Sequence, residues 1–117
     1  MENSRSVGAQ QEEKAAEYLE SQGYQILERN FRCKAGEIDL IAEEAGCLVF
    51  LEVKYRKSSR YGMPAEAVTP AKQRRICRTA DFYRMSRRIP ENRGFRFDVV
   101  SILGDEIQVY SNAFPYQ

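Results

Sequence analysis

Apolar and polar positions alternate most clearly in two neighbouring stretches, Gly36-Glu37-Ile38-Asp39-Leu40-Ile41 and Leu48-Val49-Phe50-Leu51-Glu52-Val53-Lys54, the pattern of half-buried strands. Tyr24 to Arg32 alternates well enough for an earlier strand. Phe95 to Leu103 and Glu106 to Tyr110 alternate on either side of Gly104-Asp105, a two-residue hairpin turn. Two segments switch to helical spacing. Residues 6–22 carry Ala15, Ala16 and Leu19 on one stripe, with Gly23 as a stop. A second helix opens at Thr69-Pro70, with threonine as N-cap and proline in the first turn, carries the stripe Ile76, Cys77, Ala80 and Tyr83, and is ended by Pro90. Between strand and helix, Arg56 to Val68 lacks periodicity and reads as a basic loop.

The predicted order is therefore α-β-β-β-α-β-β, an α/β fold in which helices flank a mixed β-sheet. The helix between Lys54 and Phe95 lets the fourth strand lie parallel to the third through a right-handed crossover. With 117 residues, the chain suits one domain spanning 1–117.

Charges interrupt what should be apolar rows. Strand side chains alternate faces, so Glu37 and Asp39 share one side of their strand, and Phe50, Glu52 and Lys54 share one side of the next. Burying a carboxylate costs several kcal/mol unless it is paired or holds a cation. If Ala45-Gly46 is a two-residue turn, Asp39 sits opposite Glu52 at roughly 5 Å between Cβ atoms, a repulsive pair unless Mg²⁺ or Lys54 lies between them. Glu12 lies on the apolar stripe of the first helix and would point toward the sheet. The competing readings are a cross-strand ion pair at a sheet end for Asp39, Glu52 and Lys54, and a helix-dipole acid for Glu12.

Composition narrows the chemistry. Histidine is absent, which excludes histidine-dependent triads and nucleases with a histidine base, leaving carboxylates and lysines to move protons. Cys33, Cys47 and Cys77 are odd in number and widely spaced, which supports neither a disulfide framework nor a zinc site. No apolar run approaches the roughly 18 residues of a membrane span, and the start Met1-Glu2-Asn3-Ser4-Arg5 is unlike a signal peptide, so a cytoplasmic protein without a membrane partner is expected. The charge is unevenly spread: residues 1–53 hold 5 basic and 11 acidic residues, 54–96 hold 13 and 3, and 97–117 hold none and 3. A basic block beside a carboxylate cluster suits a polyanion gripped by Arg and Lys; its alternative is a solvated helix face.

The run Gly36-Glu37-Ile38-Asp39-Leu40-Ile41-Ala42, followed by Leu48-Val49-Phe50-Leu51-Glu52-Val53-Lys54-Tyr55-Arg56, resembles the bacterial YraN family of restriction-endonuclease-like proteins, relatives of archaeal Holliday junction resolvases. The likeness extends to Gly8, Glu12, Gly23-Tyr24, Arg29-Asn30, Arg32, the Ala67 to Arg75 segment, and Phe97-Asp98-Val99-Val100. Ile38 stands where the superfamily's name-giving proline would be, and Gln11 stands where family members often have glycine.

The resemblance implies a restriction-endonuclease-like fold and a metal-dependent endonuclease acting on DNA. Asp39, Glu52 and Glu12 would bind Mg²⁺ or Mn²⁺, and Lys54 would orient or deprotonate the attacking water. Arg56, Lys57, Arg60, Lys72 and Arg75 would contact phosphates, which positions DNA without reading its sequence. Branched, flapped or single-stranded DNA is the expected substrate; RNA and a homodimer are left open. The alternative is a non-catalytic nucleic-acid-binding module working through DNA-repair or replication partners, or a basic loop docking an acidic protein.

Overall fold

The computed structural model describes residues 4–56 and 68–117, with side chains from residue 8 onward in the first helix. Its elements follow the predicted order: α1 (Ser4–Ser21), β1 (Gln25–Cys33), β2 (Gly36–Glu44), β3 (Cys47–Arg56), α2 (Pro70–Ser86), β4 (Phe95–Leu103) and β5 (Glu106–Phe114). The strands form one sheet in sequential order, antiparallel throughout except for the parallel pair β3 and β4. Helix α2 supplies the crossover that makes this parallel pairing possible.

Each helix covers an apolar surface. On one side α1 buries Ala15, Ala16 and Leu19 against Leu40, Val49, Leu51, Val100 and Ile102. On the other, α2 buries Ile76, Cys77, Ala80 and Tyr83 against Ile41, Leu48, Phe50, Phe97 and Val99. Full burial of one such leucine or phenylalanine is worth roughly 1.5–3 kcal/mol, so both helices are held by their stripes. Among the described residues, no helix is long and apolar enough to cross a membrane.

Two local features fix what later forms the site. Ala45 and Gly46 both have positive φ, 52° and 77°, and close a two-residue hairpin in which Glu44 faces Cys47 and Leu40 faces Leu51. Positive φ at both central positions is what a tight hairpin with native twist requires. At the other helix, Thr69 accepts a hydrogen bond from the Lys72 backbone N–H at 3.2 Å, and Pro70 occupies the first helical position. The cap thus sets where Lys72 sits relative to the sheet. Gly36, at φ +152°, opens β2 beside α2; a Cβ there would meet Thr79 Oγ1 at 3.2 Å.

Helix α2 stops at Ser86, before Pro90. Arg88 adopts φ 53°, and the Arg88 and Ile89 N–H groups bond back to the carbonyls of Met85 and Arg84, a Schellman-type end that terminates the helix ahead of the proline. Strand β5 runs to Phe114 rather than Tyr110, since Phe114 pairs with Phe97 and stacks on its ring at 5.1 Å.

Candidate active site

Following the β2–β3 register one step past Leu40 and Leu51 brings Asp39 level with Glu52, the juxtaposition that the hairpin turn predicts. Instead of a regular ladder bond, the Val53 N–H donates to Asp39 Oδ2 at 2.8 Å. Both carboxylates are buried, at 8% and 7% exposure. They face an open pocket of about 320 Å³ whose wall also includes Gly8, Gln11 and Glu12 from α1, and Val53 and Tyr55 from β3.

The two acids are treated differently. Glu52 Oε1 accepts from Lys72 Nζ at 2.5 Å and lies 3.6 Å from Lys54 Nζ, so a strand lysine and a helix lysine converge on one oxygen. Asp39 has the single Val53 N–H and, among the described residues, no cation of its own. Burial, then the charge of Glu52, pushes its pKa from 3.8 up to about 8; the Val53 bond opposes this, and Glu12 and Glu37 add to it. At neutral pH Asp39 therefore holds a proton unless positive charge is brought to it. Burial and the neighbouring Lys72 ammonium lower the pKa of Lys54, with Glu52 acting the other way. Burial also works to lower Lys72, but its hydrogen bond and ion pair with Glu52 outweigh this and raise it.

A second buried aspartate shows what a purely structural acid looks like in this fold. Asp98, with a fully buried side chain, accepts from the Asn112 N–H at 2.8 Å where β4 and β5 shift register, just as Asp39 accepts from Val53. Asp98 also accepts from Arg96 Nε at 3.0 Å and Tyr24 Oη at 2.9 Å, and Arg96 in turn pairs with Glu44 at 2.9 Å. Its charge is fully matched. That of Asp39 is not.

The sequence-predicted residues divide accordingly. Asp39, Glu52 and Lys54 come together, and Glu12 lines the same pocket. Among the described residues no three acidic or thiol groups close into a ready-made metal cage, so Glu12 stands on the pocket wall without joining the pair. Glu37 is turned to Arg32 at 2.5 Å. Lys72, read from sequence as a phosphate contact, is held by Glu52 inside the site. Arg75 is exposed on α2, and Arg56 ends β3. Lys57 and Arg60, with the rest of the predicted basic loop, lie outside the described residues. Much of the remaining basic block is matched internally: Arg78 and Arg84 with Asp81, Arg87 with Glu28, Arg93 with Glu43.

Sequence reasoning missed Gln11. It is 9% exposed, and its side-chain Oε1 is buried without a hydrogen-bond partner. The available signal was a polar residue four positions before Ala15 and eight before Leu19, on the buried stripe. An orphaned carbonyl oxygen beside three carboxylates is a donor set of hard oxygens, which fits Mg²⁺ or Mn²⁺ better than a softer metal.

Residues 11–102 match the sequence model of the family described as "Uncharacterised protein family UPF0102". The chain belongs to that family. Its UPF0102 relatives include a protein of Lachnoclostridium phytofermentans, 53% identical over 112 residues that cover 96% of this chain and 95% of the relative. A UPF0102 protein of Caldicellulosiruptor saccharolyticus is 45% identical over 118 residues, covering 96% and 99%. One from Persephonella marina is 47% identical over 107 residues, covering 92% and 91%. The YraN-type resemblance is thus established along nearly the whole UPF0102 chain, and the matched span takes in Glu12, Asp39, Glu52, Lys54 and Lys72.

Proposed function

We propose that this UPF0102 protein is an endonuclease dependent on Mg²⁺ or Mn²⁺ that hydrolyses phosphodiester bonds in DNA, selecting structure over sequence. The observation that carries the reading is Asp39: a buried carboxylate that no cation among the described residues pairs with directly, beside a second carboxylate and two lysines at an open pocket. A fold gains nothing in stability from that arrangement, whereas a phosphoryl-transfer site needs it.

Asp39 and Glu52, with Glu12 on the adjoining wall, would hold the cation, which when bound supplies Lewis-acid activation of water and of the phosphate. The chain's own groups do the rest. Lys54, with its lowered pKa, orients the attacking water and accepts its proton. Oxygen from water joins phosphorus as the bond to the 3′ oxygen breaks, leaving a 5′-phosphate and a 3′-hydroxyl. Lys72, fixed by the Thr69 cap, holds Glu52 in place and places positive charge beside the charge that develops on the phosphate. Exposed Arg75, together with Arg56, Lys57 and Arg60, supplies phosphate contacts.

Labelled linear, single-stranded, flapped and four-way-junction DNAs incubated with Mg²⁺ or Mn²⁺ test the reading. Metal-dependent cutting is expected from the wild type and is lost in Asp39→Asn and Lys54→Ala, both of which should remain folded. Salt-sensitive binding without cutting on any substrate would leave only a binding module.

A further inference from the structure

We infer that the side-chain carbonyl of Gln11 is a further oxygen donor to the cation, alongside Asp39, Glu52 and Glu12; the inference rests on the metal-dependent reading above. Leaving a buried amide oxygen without a donor costs about 1–3 kcal/mol, so a fold keeps such an atom when something else satisfies it. Gln11 Oε1 is such an atom, on a side chain nine-tenths buried at the wall of the pocket. Its acidic neighbours on that wall are Glu12, Asp39 and Glu52, and none of them donates a hydrogen bond to it. Glu52 is already held by Lys72 and Asp39 by the Val53 N–H, so among the described residues the Gln11 oxygen is the acceptor left over. A cation drawn to the acids, or a water held by one, would satisfy it.

The chemistry of an amide also suits the position better than a fourth carboxylate would. Three carboxylates already exceed the charge of a divalent ion, and a fourth would add repulsion. A neutral carbonyl adds coordination without adding repulsion, and carbonyl oxygens are ordinary ligands for hard cations. The opposite orientation of the amide, with Nε2 turned toward the acids, would make Gln11 a hydrogen-bond donor that holds the carboxylates apart from any metal. The two arrangements differ in a measurable way.

Manganese binding by calorimetry and by electron paramagnetic resonance, and the rise of the melting temperature with Mn²⁺, would be followed for the full chain, Gln11→Met and Gln11→Glu. The methionine keeps the length and removes the oxygen; about tenfold weaker Mn²⁺ binding is expected, with a melt in chelator no lower than that of the wild type. The glutamate keeps an oxygen in place at the cost of added repulsion, so binding clearly tighter than in the methionine variant is expected. Should the methionine variant fail to fold, Gln11→Asn, which withdraws the carbonyl by one methylene, serves in its place with the same expected weakening. Unchanged binding in the methionine variant overturns the inference while leaving the metal site standing. Equal weakening in the methionine and glutamate variants overturns it in favour of the donating orientation. Absence of Mn²⁺ binding by the wild type removes the metal-dependent reading, and this inference with it.

Discussion

Replacing Asp39 by asparagine should stabilise the protein, and only above mildly acidic pH. The pKa of Asp39 rises from 3.8 to about 8 on folding, and each unit corresponds to 1.36 kcal/mol, which sets a ceiling of about 6 kcal/mol. The charge of Glu52 contributes part of that rise and stays in place, so removing the charge of Asp39 recovers roughly 2–3 kcal/mol. Asparagine keeps an oxygen to accept the Val53 N–H, so the local hydrogen bond is not lost. Between about pH 4 and 8 the folded protein binds a proton that the unfolded chain has released, and wild-type stability therefore falls with rising pH through that window. Below it the two proteins should melt alike. Above it the variant should melt roughly 8–12 °C higher for a domain of this size. Circular dichroism melts from pH 4 to 9 in chelator provide the assay. A variant no more stable than wild type at pH 9, or a difference independent of pH, would refute the claim that Asp39 is a strained acid.

Asp98→Asn should have the opposite sign, costing about 2–3 kcal/mol in urea melts at pH 7, because it removes the fully buried acid that binds half-buried Arg96, Tyr24 and the Asn112 N–H, leaving Arg96 only Glu44. Lys72→Met should cost about 1 kcal/mol at pH 7. Since the pKa of Lys72 is raised on folding, that contribution is complete below about 10.5 and disappears as pH climbs through the raised value, so melts on both sides of this range check it. For DNA binding, Arg75→Ala should weaken affinity by on the order of 1 kcal/mol with a shallower salt slope, whereas Arg87→Ala, already matched by Glu28, should leave the slope unchanged in fluorescence-anisotropy titrations.

The β2–β3 hairpin was legible because turn chemistry and strand alternation are local properties: Ala45-Gly46 sets the register, and the register sets Asp39 against Glu52. The stripes of both helices were legible for the same reason. What periodicity does not encode is how far along the sheet a helix lies. Lys72 reached Glu52 through the placement of the Thr69 cap over the sheet end, and Gln11 reached the pocket through the depth at which α1 packs; neither distance is written in one segment. The asymmetry of charge along the chain is partly evened out by folding. Arg87, Arg93 and Arg96 find partners in the acidic first half, whereas Arg78 and Arg84 share Asp81 on their own helix, so several charges that are far apart in sequence become mixed pairs in space.

The parallel pair β3 and β4 has a bearing on how the cluster is assembled. Parallel strands need a long connection, and here it leaves from the strand that carries Glu52 and Lys54 and returns as the helix that carries Lys72. Both ends of the connection are therefore anchored by residues of one small cluster. A change that moved the Thr69 cap by one position would therefore draw Lys72 away from Glu52 while leaving the β2–β3 hairpin as it is, so the crossover that orders the sheet also completes the cluster.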